Sequence, residues 1–442
     1  MENIVLVVMD TVSAFNLPFY GYERNTTPFL SELAEENRLY THAYANAPWT
    51  LPSHASLFTG KLPSEHGSTT KNVSFDNRSL AEEMSEKGYT TYAATNNLIT
   101  AITGFERGFD TFLGAEEIQL EYRNLHALKA VLNRERDGEY DSKKEKYADF
   151  LKEVVIRRDL RSMAAGIKYL KDKRKGEESS YAFVHDSGAE ATNAVVKDLL
   201  SEESSSFFLF VNYMEPHETY DPPEDLAKMW VKDVEATKEE YRSLGKLGRP
   251  ENIETEIGAD LREGVRGLYD AEIRYLDGKI QVLYEHITER FPDTTFIITS
   301  DHGENLGHNG MWGHQYGIWE RLLHVPLIIA GENVQQKTVD APVSLRELHE
   351  VIAGEKDVDD LGSEEIFAEY HGAKHFLGAD EDAQREVMEN ESRCIVKGRR
   401  GAVRNSHLDD VFFGPGSEDV SDRDLIETLD YRFDTETEGI DI

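Results

Sequence analysis

Short apolar runs recur along the chain and are separated by segments with helical spacing of apolar residues. The first run, IVLVVM at residues 4–9, is β-branched and uninterrupted, which predicts a strand that is buried on both faces. Similar runs predict strands at 89–95, 206–214, 294–300 and 324–331. Strands that alternate with helices indicate an α/β fold, with a doubly wound, mostly parallel sheet that carries helices on both faces.

The segments between these strands have helical patterns. TTPFLSELAEENRLYTHAYA, residues 26–45, has a Thr and a Pro at its start, which predicts a helix after the first strand. A long helix is predicted at 262–290. The stretches at about 116–180 and 224–262 are interpreted as solvated helical insertions, because their charged, amphipathic pattern is more typical of an exposed helix than of a binding arm.

The last part of the chain has a different pattern. A helix after residue 345 is followed by the short strand-like pieces RCIVKG and GAVRN and by an acidic end. We therefore predict a catalytic domain at 1–345 and a small C-terminal α+β subdomain with an antiparallel sheet at 346–442.

The net charge of the chain excludes some classes of binding partner. Asp and Glu number 84 against 48 Lys and Arg, for a formal net charge of -36. Such a surface repels nucleic acid and anionic lipid, so neither is expected as a partner. Because the acidity is spread along the whole chain, we also expect a surface suited to high salt, which unfolding in low salt would confirm.

Cysteine content and hydropathy bear on location. The single cysteine, Cys394, can form no disulfide within the chain, and no Cys cluster suggests structural zinc. The first apolar run is too short to span a membrane and lacks the features of a signal peptide. A cytoplasmic location without a membrane span is therefore expected, and the oligomeric state is not predicted.

Polar residues that could bind a ligand or take part in catalysis follow three of the predicted strands. Asp10 ends the first run, His217 ends the segment SFFLFVNYMEPH, and Asp301 with His302 ends TTFIITS. In an open parallel sheet, ligands bind beyond the carboxyl ends of the strands, so these side chains are expected at one edge.

The strongest local signal is TSDHGENLGHNGMWGH, in which Asp301 and His302 are followed by His308 and His314 among glycines. Carboxylate and imidazole groups suit a divalent cation, and glycines allow the backbone to approach a ligand closely. With Asp10, this pattern predicts a metal site. Whether His308 faces the metal cannot be read from its spacing.

A third element is PWTLPSHASLFTG, residues 48–60, which places Thr50 and Ser53 at the start of a predicted helix. Such a helix end favours anions, although either hydroxyl could simply cap the helix. A bound cation can lower the pKa of a hydroxyl and so make it a nucleophile.

Several motifs in order resemble the sulfatase family within the alkaline phosphatase superfamily. They include NIVLVVMDT, APWTLPSHASLFTGKLPSEHG, GFERGFDTF, FFLFVNYMEPH, YDAEIRYLD, TSDHGENLGHNGMWGH and HVPLIIAG. The resemblance implies an alkaline phosphatase-like fold and a metal held by Asp10, Asp301 and His302. It also implies a nucleophile at Thr50, and it places His217 and His314 where the family contacts the transferred group or protonates the leaving oxygen.

Two departures from the family pattern shape the expected reaction. Sulfatases make a formylglycine nucleophile from Cys or Ser in a C-x-P-x-R pattern, whereas this chain has Thr50 and, in place of the Arg, His54. A Thr at this position resembles the phosphodiesterases and phosphoryl transferases of the superfamily. We therefore expect phosphate esters to be better substrates than sulfate esters. Family members also often carry a second Asp or the run DTLRAD after the first Asp. Here Thr11 follows Asp10, so the site has one carboxylate fewer.

The sequence therefore predicts a metal-dependent hydrolase or transferase of phosphate or sulfate esters. His54 and Lys71 are candidate substrate contacts, and magnesium, manganese or calcium, with zinc also compatible, is the expected cation. The substrate is expected to be a small molecule or the ester of a glycan or lipid head group. The alternatives are a sulfatase that works without the aldehyde, and a catalytically silent protein that binds anionic glycans or head groups.

Overall fold

The computed structural model describes residues 2–136, 138–140, 142–165, 188–245, 257–308, 310–314, 317–372, 390–406, 410–414 and 425–430. The strands in this part are β1 (Asn3–Met9), β2 (Arg38–Tyr44), β3 (Thr90–Thr95), β4 (Thr111–Leu113), β5 (Phe207–Tyr213), β6 (Thr294–Ser300), β7 (His324–Ala330), β8 (Lys337–Val339), β9 (Val343–Ser344), β10 (Glu365–His371), β11 (Glu391–Lys397), β12 (Arg400–Asn405) and β13 (Val411–Phe413).

The helices of the described part are α1 (Pro28–Glu36), α2 (Thr50–Thr59), α3 (Pro63–His66), α4 (Leu80–Glu86), α5 (Leu98–Ile102), α6 (Ala115–Tyr122), α7 (His126–Arg136), α8 (Lys143–Arg157), α9 (Gly188–Leu199), α10 (Glu224–Ala227), α11 (Val234–Ser243), α12 (Ala259–Arg290), α13 (Glu320–Leu323) and α14 (Leu348–Ile352). Residues 160–165 and 425–430 are also helical. No helix among the described residues combines the length and the apolar character that a membrane span requires.

The large sheet has the strand order β4-β3-β5-β1-β6-β7-β2-β8, and β9 pairs with β2. β1 lies in the interior of the sheet and is parallel to both neighbours, β5 and β6. Five of its seven residues are buried, because helices cover both faces of the sheet. The five strands predicted from apolar runs are confirmed as β1, β3, β5, β6 and β7.

The prediction that 26–45 is one helical segment is wrong in its second half. Helix α1 ends at Glu36, Asn37 is extended, and β2 follows. β2 pairs antiparallel with β7 and parallel with β8 and β9, so partners distant in sequence determine its conformation. β7 is antiparallel to β6 as well, which makes the sheet mostly, but not wholly, parallel.

Alternate residues of β1 pack into two different cores. Val5 and Val7 contribute to the core beneath α9 and α12, whereas Leu6 and Val8 contribute to the core on the other face, beneath α2. This alternation follows from the two-residue repeat of a strand. The doubly wound α/β prediction is confirmed.

The C-terminal strands form a separate four-stranded antiparallel sheet in the order β10-β11-β12-β13, which confirms the predicted C-terminal α+β subdomain. One face of this sheet, including the buried thiol of Cys394, joins the core beneath α2, and the other packs against the helical residues 425–430. Leu348 and Ile352 of α14 belong to the core beneath α2 as well. The boundary at 345 remains a prediction.

Both regions interpreted as insertions are rich in helix where the structure describes them. The first contains α6, α7, α8 and the helical residues 160–165, and the second contains α10 and α11. Residues 166–180 of the first region and 246–256 of the second lie outside the described part of the chain.

Candidate active site

Parallel pairing brings Asp10 and Asp301 together. Met9 and Ser300 are partners at the ends of β1 and β6, so the next residue of each strand emerges at the same edge of the sheet. Ligand atoms of Asp10, Asp301 and His302 lie within 4.8 Å of one another, and all three residues are buried. The three predicted metal ligands therefore share one small volume.

Backbone donors fix the orientation of Asp301. Its Oδ1 accepts from the N–H groups of Thr11 (3.2 Å) and His302 (2.9 Å). Thr11 adopts φ = 60°, a left-handed conformation that is unfavourable for a β-branched residue, and its hydroxyl donates to the Pro216 carbonyl at 2.8 Å. The position at which the family often has a second Asp thus contributes a backbone donor instead.

The remaining oxygens of the two carboxylates point into the site. Asp10 Oδ1 and Asp301 Oδ2 are buried and have no hydrogen-bond partner among the described residues. His302 Nδ1 lies 3.0 Å from the Gly303 carbonyl, so it must carry the proton, and Nε2 keeps its lone pair. This Nε2 lies 3.3 Å from Asp301 Oδ2, which leaves two acceptors facing each other.

Electrostatics at this cluster indicate a missing positive charge. Burial, and then the charge of Asp301, raises the pKa of Asp10 to about 7, and burial raises the pKa of Asp301 to about 7. Burial, and then His314, lowers the pKa of His302 to about 3. Two buried carboxylate oxygens and one imidazole lone pair form a donor set that fits a divalent cation.

Thr50 is the first residue of α2, and its hydroxyl does not cap that helix. The cap position is occupied by Trp49, which makes no side-chain capping bond. Thr50 Oγ1 instead lies 3.5 Å from His302 Nε2 and 3.4 Å from Asn97 Nδ2. Ser53 does not cap the helix either, because its hydroxyl donates to the Asp301 carbonyl at 2.5 Å. The start of α2 therefore directs the Thr50 hydroxyl toward the group formed by Asp10, Asp301 and His302.

Asn97 is a site residue that the sequence reasoning missed. It follows β3, a correctly predicted strand, on the same edge as Asp10. Its Nδ2 donates to Asp10 Oδ2 at 2.5 Å, and its Oδ1 accepts from the Ile99 N–H at 2.8 Å, at the start of α5. The signal was available, since Asn97 comes two residues after the end of β3, much as Asp10 comes directly after β1.

Two further histidines lie against the cluster. The rings of His302 and His314 are 4.5 Å apart, and those of His217 and His314 are 5.2 Å apart, measured between centroids. His217 Nδ1 lies 2.7 Å from the Glu218 carbonyl, which leaves Nε2 as its other polar atom. The predicted grouping of these histidines with Asp301 and His302 is thus present in the fold.

Glu304 is a second residue that was missed, although it stands in the quoted motif. Its Oε2 lies 3.0 Å from His314 Nδ1, and both residues are buried. Burial raises the pKa of Glu304. A carboxylate at this distance fixes which nitrogen of His314 carries a proton and how the ring is oriented.

Gly303 shows why the loop after β6 needs glycine. A Cβ at this position would lie 1.9 Å from the backbone oxygen of Arg321, and the Gly303 N–H donates to the Leu322 carbonyl at 2.9 Å. Any side chain would push the loop away from α13 and would displace the neighbouring His302.

His54 and Lys71, the predicted substrate contacts, are placed differently. His54 is 1% exposed, and its Nδ1 lies 3.0 Å from the Thr50 carbonyl and 3.5 Å from Asp301 Oδ2. Burial lowers its pKa to about 4. The ring thus contacts Thr50 and lies beside Asp301, and its contact with substrate remains a prediction. Lys71 is exposed and pairs with Glu391 of the C-terminal sheet, and its contact with substrate remains a prediction.

Comparisons with known proteins identify the family of this chain. The sulfatase family model matches residues 2–354. The chain is 26% identical over 352 residues to an arylsulfatase of Clostridium perfringens, covering 74% of this chain and 68% of that protein. It is 22% identical over 363 residues to the iduronate 2-sulfatase of Homo sapiens, covering 74% of this chain and 59% of that protein.

A solved structure supports the fold. The phosphonate monoester hydrolase of Agrobacterium radiobacter superposes with a TM-score of 0.66 at 16% identity, over 99% of this chain and 95% of that one. The family match covers the large sheet and every residue of the cluster around Asp301. The chain therefore belongs to the sulfatase family of ester hydrolases.

Proposed function

We propose that this protein is a divalent-cation-dependent hydrolase that uses Thr50 as its nucleophile and prefers phosphorus esters to sulfate esters. The main support is the position of the Thr50 hydroxyl. Thr50 is the first residue of α2, and its hydroxyl does not cap that helix but lies 3.5 Å from His302 Nε2. A nucleophile is expected to lie within reach of the groups that activate it.

Asp10, Asp301 and His302 would hold the cation. When bound, a divalent cation lowers the pKa of a nearby hydroxyl and offsets the negative charge of the ester group. The chain's own contribution is to place the hydroxyl: α2 fixes the backbone of Thr50, and Asn97 Nδ2 contacts both its Oγ1 and Asp10 Oδ2.

The reaction would proceed in two displacements at phosphorus. Thr50 Oγ1 gives up its proton to solvent and forms a bond to phosphorus, while the bond to the leaving oxygen breaks and that oxygen takes a proton, which gives a phosphothreonine and an alcohol. Water then attacks the same phosphorus, the bond to Oγ1 breaks, and the hydroxyl regains a proton. The first turn of α2 contributes a favourable potential for the anionic group.

We assign protonation of the leaving oxygen to His314 or His217. Glu304 lies against Nδ1 of His314, and the Glu218 carbonyl lies against Nδ1 of His217, which orients both rings beside the proposed site. The two rings are close to each other and to His302, and one proton donor beside the leaving group is sufficient.

The preference for phosphorus rests on the chemistry of threonine. A formylglycine hydrate has a second hydroxyl, through which a sulfatase expels sulfate, and Thr50 has none. A sulfated threonine would therefore have to be released by attack of water on sulfur. The similarity to an arylsulfatase keeps sulfate esters as the second candidate substrate class.

The test is a panel of matched 4-nitrophenyl esters: sulfate, phosphate monoester, phosphate diester and phosphonate monoester. Each is assayed with magnesium, manganese, calcium or zinc. We expect the phosphate diester or the phosphonate to react fastest. Faster turnover of the sulfate would overturn the preference for phosphorus, and unchanged turnover after chelation would overturn the need for a metal.

The nucleophile is tested by Thr50→Ala with Thr59→Ala as the matched control, because Thr59 lies at the other end of α2 and its hydroxyl bonds only nearby backbone groups, the Ala55 carbonyl and the Lys61 N–H. We expect Thr50→Ala to lower kcat by about 10⁴-fold or more, as removal of a nucleophile does in other hydrolases, with metal affinity retained. Mass spectrometry of acid-quenched wild type should find the phosphoryl group on Thr50. Wild-type kcat in Thr50→Ala would refute the assignment.

A further inference from the structure

Three arginines and one histidine gather beside the loop that carries His302 and His314. Arg262 and Arg266 are one turn apart on α12, His308 lies within the loop, and Arg321 lies on α13. The positive charge of each arginine lowers the pKa of His308. We refer to Arg262, Arg266, His308 and Arg321 as the basic cluster.

The basic cluster is joined to the proposed active site through the backbone of this loop. Arg266 Nε donates to the Leu306 carbonyl at 3.1 Å. The backbone oxygen of Arg321 packs against Gly303, the residue that follows His302. The cluster therefore lies on the same edge of the sheet as the predicted metal ligands and contacts the loop that carries them.

The positive charge of the cluster is only partly offset. The carboxylates that act most strongly on Arg266 and Arg321 are Glu263 and Asp270. Both of these carboxylates already accept from another arginine, Arg24. Arg321 also interacts with the neighbouring carboxylate of Glu320. In the described part of the chain, four arginines thus share three carboxylates, which leaves an excess of one positive charge in a protein of net charge -36.

Two hydrogen-bond donors in the cluster also lack a partner in the described part of the chain. Nε of Arg262 and Nε of Arg321 are buried and have no partner among the described residues. Burial lowers the pKa of Arg266 and of Arg321, and the neighbouring arginines act in the same direction. Burial, and then the three arginines, lowers the pKa of His308 to about 3, so its ring is neutral at pH 7. Guanidinium groups held together without a counter-charge are unfavourable unless an anion joins them.

We propose that the basic cluster is a subsite for a second anionic group of the substrate, separate from the ester that is cleaved. The ligand group would be a carboxylate, sulfate or phosphate, because the planar fork of an arginine matches the paired oxygens of these groups. This inference rests on the proposed function, and it specifies the substrate class as an ester that carries an additional negative charge.

The turnover test compares two forms of one ester. The best 4-nitrophenyl ester of the panel is synthesised with a carboxylate on a linker of one to three methylenes, and each compound is paired with its carboxamide. We expect wild type to favour the carboxylate by about tenfold or more in kcat/KM at one linker length, which is the effect of one charge-assisted hydrogen bond. Equal kcat/KM for both forms at every length would overturn the proposal.

Variants locate the preference. Arg262→Gln should bring the ratio of carboxylate to carboxamide close to one, and Arg262→Lys should retain part of it. Arg290→Gln is the matched control, since Arg290 is the last residue of the same helix and lies outside the cluster. A ratio that survives Arg262→Gln unchanged, or that falls equally in Arg290→Gln, would overturn the assignment of the cluster.

A binding measurement separates this inference from the proposed function. Calorimetry compares 1,3-benzenedisulfonate with benzenesulfonate, which requires no turnover. Tighter binding of the disulfonate, weakened about tenfold by Arg262→Gln, would support the subsite even if every ester were inert. Turnover of the ester panel with no advantage for the disulfonate would instead support the proposed function and remove the subsite.

Discussion

Two groups of buried carboxylates in this protein are satisfied in opposite ways. Glu369, on β10, accepts from the Ser64 N–H (2.6 Å), the Ser64 hydroxyl (2.8 Å) and His371 Nε2 (3.1 Å). Asp10 and Asp301 are equally buried, yet each retains one oxygen without a donor. Burial acts to raise the pKa in all three, but the hydrogen bonds of Glu369 outweigh it and lower the pKa of that group.

The difference separates a structural role from a functional one. Glu369 links α3 to the C-terminal sheet, and its donors come from the protein itself. The oxygens of Asp10 and Asp301 that lack a donor among the described residues lie close to each other and to the lone pair of His302 Nε2. Under the proposed function, a bound cation would be their partner. Stability should therefore depend on Glu369, and activity on the two aspartates.

Among the changes that test this comparison, Asp301→Asn should have the largest effect. The amide keeps an oxygen for the N–H groups of Thr11 and His302 but replaces the oxygen that faces the cation. Loss of several kcal/mol of charge stabilisation should lower kcat/KM by roughly a thousandfold.

Stability of the metal-free protein distinguishes this loss from misfolding. Removing a buried, unpaired charge should leave the metal-free Asp301→Asn variant at least as stable to urea as metal-free wild type. A strong loss of stability in the metal-free state would show that Asp301 is structural, as Glu369 is.

Metal binding should give the next largest effect. A cation at one hundred times its dissociation constant is expected to stabilise wild type by about 2.7 kcal/mol. Thermal denaturation with magnesium, manganese or calcium measures this shift. The shift should vanish in Asp301→Asn and persist in Glu369→Gln. Equal shifts in all three proteins would place the cation elsewhere.

Glu369→Gln should destabilise the fold by about 1–3 kcal/mol, because one of its donors would face the new amide N–H₂. The pH dependence gives the sign. A carboxyl whose pKa is lowered by folding contributes stability above its unfolded pKa, and this contribution is lost as pH falls through the lower folded value. Urea unfolding between pH 7 and pH 3 should show a smaller acid loss in Glu369→Gln than in wild type. Identical slopes would contradict this.

The smallest effect is expected from His54→Asn. The structure places His54 behind Thr50, where it bonds the Thr50 carbonyl and packs against Phe105 and Phe210. Losing one hydrogen bond of about 1 kcal/mol should lower kcat by about fivefold and leave KM unchanged. Steady-state kinetics measure both, and a rise in KM alone would restore the predicted substrate contact.

The aspartate half of this comparison could be predicted from sequence, because β1 and β6 are short segments rich in apolar and β-branched residues and each is followed directly by an acidic residue. Parallel pairing then requires Asp10 and Asp301 to meet. β2 could not be recognised in the same way, because its conformation depends on pairing with β7, β8 and β9, which are remote in sequence.

The supporting residues of the site were harder to predict. Asn97 was overlooked because an amide at a strand end is a common turn residue, and Glu304 because its role depends on reaching His314, ten positions away. The burial of the His54 side chain could not be predicted either, since helical position alone does not decide which side of α2 faces the core. Side-chain partners from distant segments decide all three.

The most direct test of the central idea is the anomalous scattering of manganese in crystals soaked at neutral pH. We predict one strong peak bounded by Asp10 Oδ1, Asp301 Oδ2 and His302 Nε2, at about 2.0–2.6 Å from each, beside the Thr50 hydroxyl. A peak at another position, or a fully occupied water network in its place, would contradict the assignment of these residues as a metal site.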